Sequence, residues 1–175
     1  MSDDIWVMGS LEEIKQEVSP ETFVFHIAVN TIGNWKCDGW GYIFSECHPL
    51  LAYISEALDK LRLSELKNQF DELHLWMNEY FTNEGIPFLD FAQAYNETMH
   101  TDVMKFLINP RFHVKNEKLH AVGKEDRKSA SLKYQTGMER LDHISQKYWD
   151  YGAEEEGWKA VSDYIKKIEL LNTEG

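Results

Sequence analysis

The sequence predicts an all-α protein, a single compact multi-helix bundle with one long basic loop. Three observations predict this fold class. Apolar residues recur at intervals of three and four, no alternating strand pattern of useful length occurs, and 43% of the 175 residues are hydrophobic. A chain of this length and composition can bury one core, so residues 1–175 are expected to form one helical domain.

The first two helices are predicted from their start signals. Ser10 and Glu13 have the spacing of a capping box, in which each side chain accepts a hydrogen bond from the backbone of the other residue. Ser19 precedes Pro20, and proline is tolerated at the first position of a helix. The apolar residues in 23–29 keep helical spacing, although their β-branched side chains leave a strand as an alternative.

The third and fourth helices are predicted to supply the main packing faces. Pro49 opens the third helix, whose apolar residues between 50 and 61 form one stripe. Ser64 caps the fourth and longest helix, and Gly85 ends it. The spacing along the fourth helix is that of a helical bundle seam. The seam consists of Leu66, Phe70, Leu73, Met77 and Tyr80.

The second half of the chain is less regular. Short apolar segments around 88–95 and 98–108 end at Asn109 and Pro110. Residues 111–128 are rich in Lys, Arg, His and Asn, and we expect a long, mobile basic loop there. Helical spacing then resumes with Leu132, Met138, Leu141 and Ile144, and again with Trp158, Val161, Ile165 and Ile168.

The formal net charge of −12 is unevenly distributed. Residues 1–104 carry −13, residues 105–135 carry +5, and residues 136–175 carry −4. An acidic protein repels nucleic acid and anionic membranes and attracts basic partners, so direct binding to either surface is not expected. The alternative is that the acidic surface serves only solubility.

The sequence also indicates where the protein is located and whether its cysteines are bonded. No apolar run is long enough to cross a membrane, and the first ten residues lack the features of a secretory signal. The two cysteines, Cys37 and Cys47, form no disulfide framework and have no zinc-site spacing. We therefore expect a cytoplasmic protein with free thiols.

Catalytic motifs are sparse. Glu-x-x-His and the related Asp-x-x-His can bind metal ions inside helical bundles, because residues three apart share a helical face. They occur at Glu97/His100, Glu117/His120 and Asp71/His74. With 30 acidic residues and 7 histidines, such matches arise by chance. We therefore predict no enzyme activity, metal or cofactor, and keep a metal-dependent enzyme built on Asp71, His74, Glu97 and His100 as an alternative.

A row of carboxylates on the fourth helix is the candidate binding surface. Glu65, Glu72 and Glu79 share one heptad position, so about 10.5 Å of helix separates successive members. Leu75 lies on the same outer side and indicates a contact surface, although an ordinary solvated face is the alternative. The predicted partner-binding residues are Glu56, Asp59, Glu65, Asp71, Glu72 and Glu79.

The segment 37–44 contains three aromatic residues and two glycines. Such a composition requires tight packing and an unusual backbone conformation, and it favours a structural corner between helices over a ligand pocket.

The stretch from Cys37 to Glu46 resembles the Asn-Gly-Gly-Phe-x-Gln-Tyr-Phe-x-Asn signature of a small bacterial family best known for an acidic DNA-mimic protein. Gly39, Trp40 and Phe44 are among the residues that fit it, together with Ile43, whereas positions 37, 38, 42 and 46 differ. The likeness covers roughly residues 20–168. Further matches are Ala57-Leu58, Leu141-Asp142, Tyr148-Trp149, the acidic run Glu154-Glu155-Glu156, and Tyr164-Ile165.

This resemblance implies an all-α domain that forms a homodimer. It also implies surface carboxylates that imitate the phosphates of duplex DNA and occupy the DNA-binding face of a transcription factor. We therefore expect a non-enzymatic acidic binding protein that inhibits a basic nucleic-acid-binding protein. An immunity-type inhibitor of a nuclease toxin and a plain dimeric scaffold are the alternatives.

Overall fold

The computed structural model describes residues 10–84, 124–150 and 154–173, which form six α-helices, one short 3-10 helix and no strand. The all-α prediction is confirmed for these residues, and none of their helices is long and apolar enough to cross a membrane. The helices are α1 (Leu11–Glu17), α2 (Pro20–Ser45), the 3-10 helix (His48–Leu50), α3 (Leu51–Lys60), α4 (Ser64–Glu84), α5 (Lys124–Trp149) and α6 (Glu154–Thr173).

The predicted start signals of the first two helices are confirmed. The Ser10 backbone N–H donates to the Glu13 carboxylate over 2.7 Å, and the Glu13 N–H donates to the Ser10 hydroxyl. At α2, the Ser19 hydroxyl accepts the Thr22 N–H over 3.2 Å, and Pro20 is the first helical residue. The strand alternative for 23–29 is wrong, because this segment lies inside α2 and packs its apolar side against the core.

The chain bends inside α2 at Gly39, where φ is 74° and ψ is −178°. This conformation is essentially restricted to glycine, since a Cβ atom would clash with the backbone. The structural corner predicted for 37–44 is therefore confirmed. Within it Trp40, Ile43 and Phe44 are fully buried, and Tyr42 is half-buried.

Helix α4 contributes the predicted seam to the core. Four of its five seam residues are buried and Tyr80 is half-buried. The prediction that α4 is the longest helix is wrong, because α2 and α5 each have 26 residues and α4 has 21. The length of α2 was hidden by its internal bend, and that of α5 by its charged first turns.

The predicted loop 111–128 is wrong at its end, since α5 begins at Lys124. Residues 124–128 read Lys-Glu-Asp-Arg-Lys, and lysine, arginine and glutamate are good helix formers even where no apolar stripe marks a helix. Residues 111–123 and the apolar segments around 88–95 and 98–108 lie outside the described residues. Two apolar residues of the predicted helical pattern are exposed, Leu132 by 58% and Trp158 by 38%.

The helices surround one core. Helix α2 contacts α3, α5 and α6, and α4 contacts α3 and α5. Helices α4 and α5 run in opposite directions, because Glu65 lies beside Lys147 while Trp76 lies beside Lys133. They approach each other closely at Gly137, where a Cβ atom would lie only 2.6 Å from a methyl carbon of Leu73.

Helix α3 ends in a Schellman motif. The Leu63 N–H donates to the Leu58 carbonyl and the Arg62 N–H to the Asp59 carbonyl. Arg62 has a φ of 61°, the left-handed conformation that glycine normally supplies at this position. An L-residue pays about 1 kcal/mol for that conformation.

Two helical glycines form a matched pair for a packing test. We expect Gly137→Ala to lower the free energy of unfolding by about 1–2 kcal/mol, since the new methyl group overpacks buried Leu73. Gly33→Ala should raise it by about 0.5–1 kcal/mol, because nothing lies within 4 Å of the new Cβ atom and alanine favours the helix. Urea denaturation measures both. A stabilised Gly137→Ala protein would contradict the close approach of α4 and α5.

The end of α3 gives a second prediction. Arg62→Gly should leave the free energy of unfolding unchanged or raise it by about 0.5 kcal/mol, because relief at the left-handed position outweighs the flexibility of glycine in the unfolded chain. Lys60→Gly is the control, since it removes the same charge from the last helical residue and should cost about 0.5–1 kcal/mol. Equal losses for the two variants in urea denaturation would contradict this assignment.

Candidate partner-binding surface

The carboxylate row of α4 is exposed and drifts slowly around the helix. Glu65, Glu72 and Glu79 all lie at the surface. Seven residues of an α-helix fall about 20° short of two full turns, so a residue repeated every seven positions drifts around the helix. Glu65 lies beside α5, where it contacts Lys147.

Two of the six predicted binding carboxylates are engaged in ion pairs. Glu65 accepts a hydrogen bond from the Lys147 ammonium on α5 over 2.8 Å. Asp71 accepts one from the Lys67 ammonium over 2.6 Å, and this hydrogen bond raises the pKa of Lys67. Such surface pairs add little stability, but they neutralise charge that a partner could otherwise use.

The other four, Glu56, Asp59, Glu72 and Glu79, are exposed and form no ion pair with the part of the chain that the structure describes. Two of them, Asp59 and Glu56, do not extend the row of carboxylates on α4. Asp59 lies close enough to Lys67 to favour the charged form of that lysine. Asp59 and Asp71 therefore lie near the same ammonium group. Glu56 lies on the side of α6, where its charge helps to raise the pKa of Tyr164, after the larger effect of burial and that of Glu21.

Glu72 and Glu79 border an apolar spot on α4. Leu75 is 61% exposed, as the sequence predicted, and it lies three residues from Glu72 and four from Glu79, so all three share one face. Trp76 stacks on Tyr80 with ring centroids 5.7 Å apart, and the Lys133 ammonium lies 4.7 Å from the Trp76 ring. We call Glu72, Leu75 and Glu79 the α4 face.

A cleft of about 320 Å³ lies between α4 and α5 beside this face. Glu72 lines it from α4, and Lys133 and Arg140 line it from α5. Exposed Leu132 also lines it. The cleft therefore places two basic side chains next to Glu72.

The metal-binding alternative gains no site. The described residues contain no cluster of three His, Cys, Asp or Glu side chains that could hold a metal ion. The Asp71 carboxylate is bound by Lys67, while the His74 ring packs against Phe70 and Phe44 at centroid distances of 5.3 and 6.3 Å. Glu97, His100, Glu117 and His120 lie outside the described residues, so the alternative is untested there.

The corner at Gly39 is held by polar groups of α5 that the sequence analysis did not assign. Asp142 accepts a hydrogen bond from the Trp35 indole over 2.9 Å and one from the Trp40 backbone N–H. The Trp40 indole donates to the Ser145 hydroxyl over 2.8 Å. Burial raises the pKa of Asp142, and the two donors partly offset that shift. These contacts give the Gly39 segment a structural role.

The two cysteines are free, as predicted. Cys47 is half-buried, and burial raises the pKa of its thiol. Cys37 is exposed on α2.

Comparison of the chain with family models, with curated proteins and with solved structures finds no match in any of the three. The resemblance to the DNA-mimic family therefore stays a prediction. The function proposed below is based on the geometry of the α4 face and on the charge of the chain.

The half-buried imidazole of His74 gives a prediction about how the stability of the protein depends on pH. Burial lowers its pKa, with the Asp71 carboxylate acting in the opposite direction. Because the unfolded chain then binds a proton more tightly than the folded one, this part of the stability is present above pH 6.5 and is lost as the pH falls below it. His26, fully buried on α2, acts in the same sense.

We expect His74→Phe to reduce the drop in the free energy of unfolding between pH 7.5 and pH 5.5, because the phenyl ring cannot be protonated. Urea denaturation at the two pH values measures it. His143→Gln is the control, since His143 is exposed on α5 and should leave the drop unchanged. An undiminished drop in His74→Phe would contradict the burial cost assigned to this imidazole.

Proposed function

We propose that this protein is a non-enzymatic, cytoplasmic binding protein that attaches through its acidic α4 face to a basic nucleic-acid-binding protein and competes with nucleic acid there. The observation that carries the proposal is the α4 face itself. Two exposed carboxylates that form no ion pair with the described residues border a leucine that is 61% exposed. The likeness of residues 37–46 to the DNA-mimic signature supports the same function.

The two kinds of group on this face would act at different ranges. A net charge of −12 attracts a basic partner over distances comparable to the screening length, about 8 Å at physiological ionic strength. Leu75 and the adjacent Trp76 offer apolar area for the short-range contact, since central apolar and aromatic residues supply most of the binding energy of protein interfaces. The carboxylates would then set the rate and the orientation of binding.

The charge spacing limits how closely the face can imitate DNA. Duplex DNA carries one negative charge per about 1.7 Å of its axis, whereas the row on α4 has one per about 10.5 Å. Glu65 is further neutralised by Lys147. We therefore place the recognition in the combination of Glu72, Glu79 and Leu75 and not in a lattice of charges.

An immunity-type inhibitor of a nuclease toxin would use the same surface and the same attraction of acid for base. The two functions differ in the partner, which is a nuclease in one case and a DNA-binding regulator in the other. A homodimer is compatible with both.

The proposal predicts which substitutions weaken partner binding. Immobilised protein in a lysate of the native cell should retain a basic nucleic-acid-binding protein at low salt and release it at high salt. The double variant Glu72→Gln/Glu79→Gln should retain much less of it, with an association rate reduced about tenfold for the purified pair at low salt. Mass spectrometry of the eluate and surface plasmon resonance with the purified partner measure these results.

The control is Glu17→Gln/Glu46→Gln, which removes two exposed carboxylates from α1 and the end of α2 and leaves the same net charge. It should bind the partner as the unmodified protein does. Retention of the same protein by both double variants, or of no nucleic-acid-binding protein at all, would overturn the proposal. A nuclease in the eluate would select the immunity function.

A further inference from the structure

A second cleft, with a basic rim, lies where the turn between α3 and α4 meets α6 and the end of α5. Its volume is about 540 Å³. This is within the range of clefts that bind small molecules, about 300–1,000 Å³. The cleft is separate from the α4 face, because none of the residues that line it belongs to that face.

Four cations form the rim of the cleft, in a chain that contains only 18 lysines and arginines. They are Lys60, Arg62, Lys159 and Lys167, and all four are exposed. Asp163 is the one carboxylate among the lining residues, and it is paired with Lys159. The lining therefore carries an excess of positive charge, and such a cleft attracts an anion although the whole molecule is acidic.

The floor of the cleft is apolar and aromatic. Leu61 and Leu63 are buried, and the rings of Tyr148 and Tyr164 are half-buried beside them. Burial, and then the charges of Glu21 and Glu56, raise the pKa of Tyr164, so the floor at Tyr164 has acidic neighbours as well as the cations of the rim. A ligand that fits this arrangement has a flat apolar part and a separate negative group.

Arg62 is placed on the rim by a backbone conformation that disfavours it. Its φ of 61° is the left-handed conformation in which helices usually end with glycine. Non-glycine residues held in such regions are concentrated at functional sites, where the side chain has a task that glycine cannot perform. Here the side chain adds a guanidinium to the rim, a group that can bind phosphate or carboxylate through two parallel hydrogen bonds.

We propose that this cleft binds a small organic anion that combines a planar ring with a phosphate or carboxylate group. The ring lies against Leu61, Leu63 and the two tyrosines, and the anionic group lies among Arg62, Lys60 and Lys167. The site is independent of the binding function proposed for the α4 face.

Isothermal titration calorimetry with four probes tests the proposal on the full chain. We expect 1-naphthyl phosphate and 1-naphthoate to bind with a Kd below about 1 mM. The neutral alcohol 1-naphthylmethanol and inorganic phosphate should each bind at least about tenfold more weakly, since the alcohol lacks the negative group and phosphate lacks the ring. The tighter of the two aryl anions identifies the headgroup, and both should weaken as sodium chloride is raised.

Matched variants locate the site. Arg62→Gly/Lys167→Gln should weaken binding of the aryl anion about tenfold with an unchanged far-ultraviolet circular dichroism spectrum. Lys166→Gln is the control, because Lys166 is the exposed neighbour of Lys167 and does not line the cleft. Three results would overturn the proposal: no binding of either aryl anion, equal binding of the neutral alcohol, or an equal loss in the Lys166 control.

Discussion

The position of Trp40 is the constraint on which the rest of the bundle depends. The bend at Gly39 turns the indole inward, to the place where α2, α4 and α5 meet. There it contacts Phe70 and Trp149, with ring centroids 5.8 and 6.2 Å away. The acceptor for this buried indole N–H is the Ser145 hydroxyl, which α5 presents on its core side. Helix α5 thereby acquires its rotation relative to α2.

Local signals in the sequence predicted those parts of the fold that local interactions decide. The caps of α1 and α2 involve residues three apart, and the α4 seam follows from the helical period, so both are visible in a single sequence. The exposure of Leu132 was not predicted, because periodicity identifies an apolar stripe without revealing whether a neighbouring helix covers it. Gly137 was overlooked because its importance arises from Leu73, a residue on another helix.

The candidate surface likewise has features that follow from local sequence and features that depend on distant residues. The exposure of Glu72, Glu79 and Leu75 follows from their place on the outer side of an amphipathic helix, and the sequence predicted it. The pairing of Glu65 with Lys147 joins residues 82 positions apart, and no local pattern marks it. Neither does any motif mark the basic cleft, since its cations come from the end of α3, the turn after it and one side of α6. Together these features divide an acidic protein into two surfaces of opposite sign.

The corner at Gly39 has a consequence for how the chain is made. Its two closing hydrogen bonds, from Trp35 to Asp142 and from Trp40 to Ser145, join residues 107 and 105 positions apart. A ribosome that adds about 5–20 residues per second needs roughly 5–20 seconds to translate that interval. During that time the nascent α2 has neither of its polar partners, and its tryptophans lack the surface of α5 that later covers them. The aromatic centre of this protein is therefore completed only after α5 has been translated.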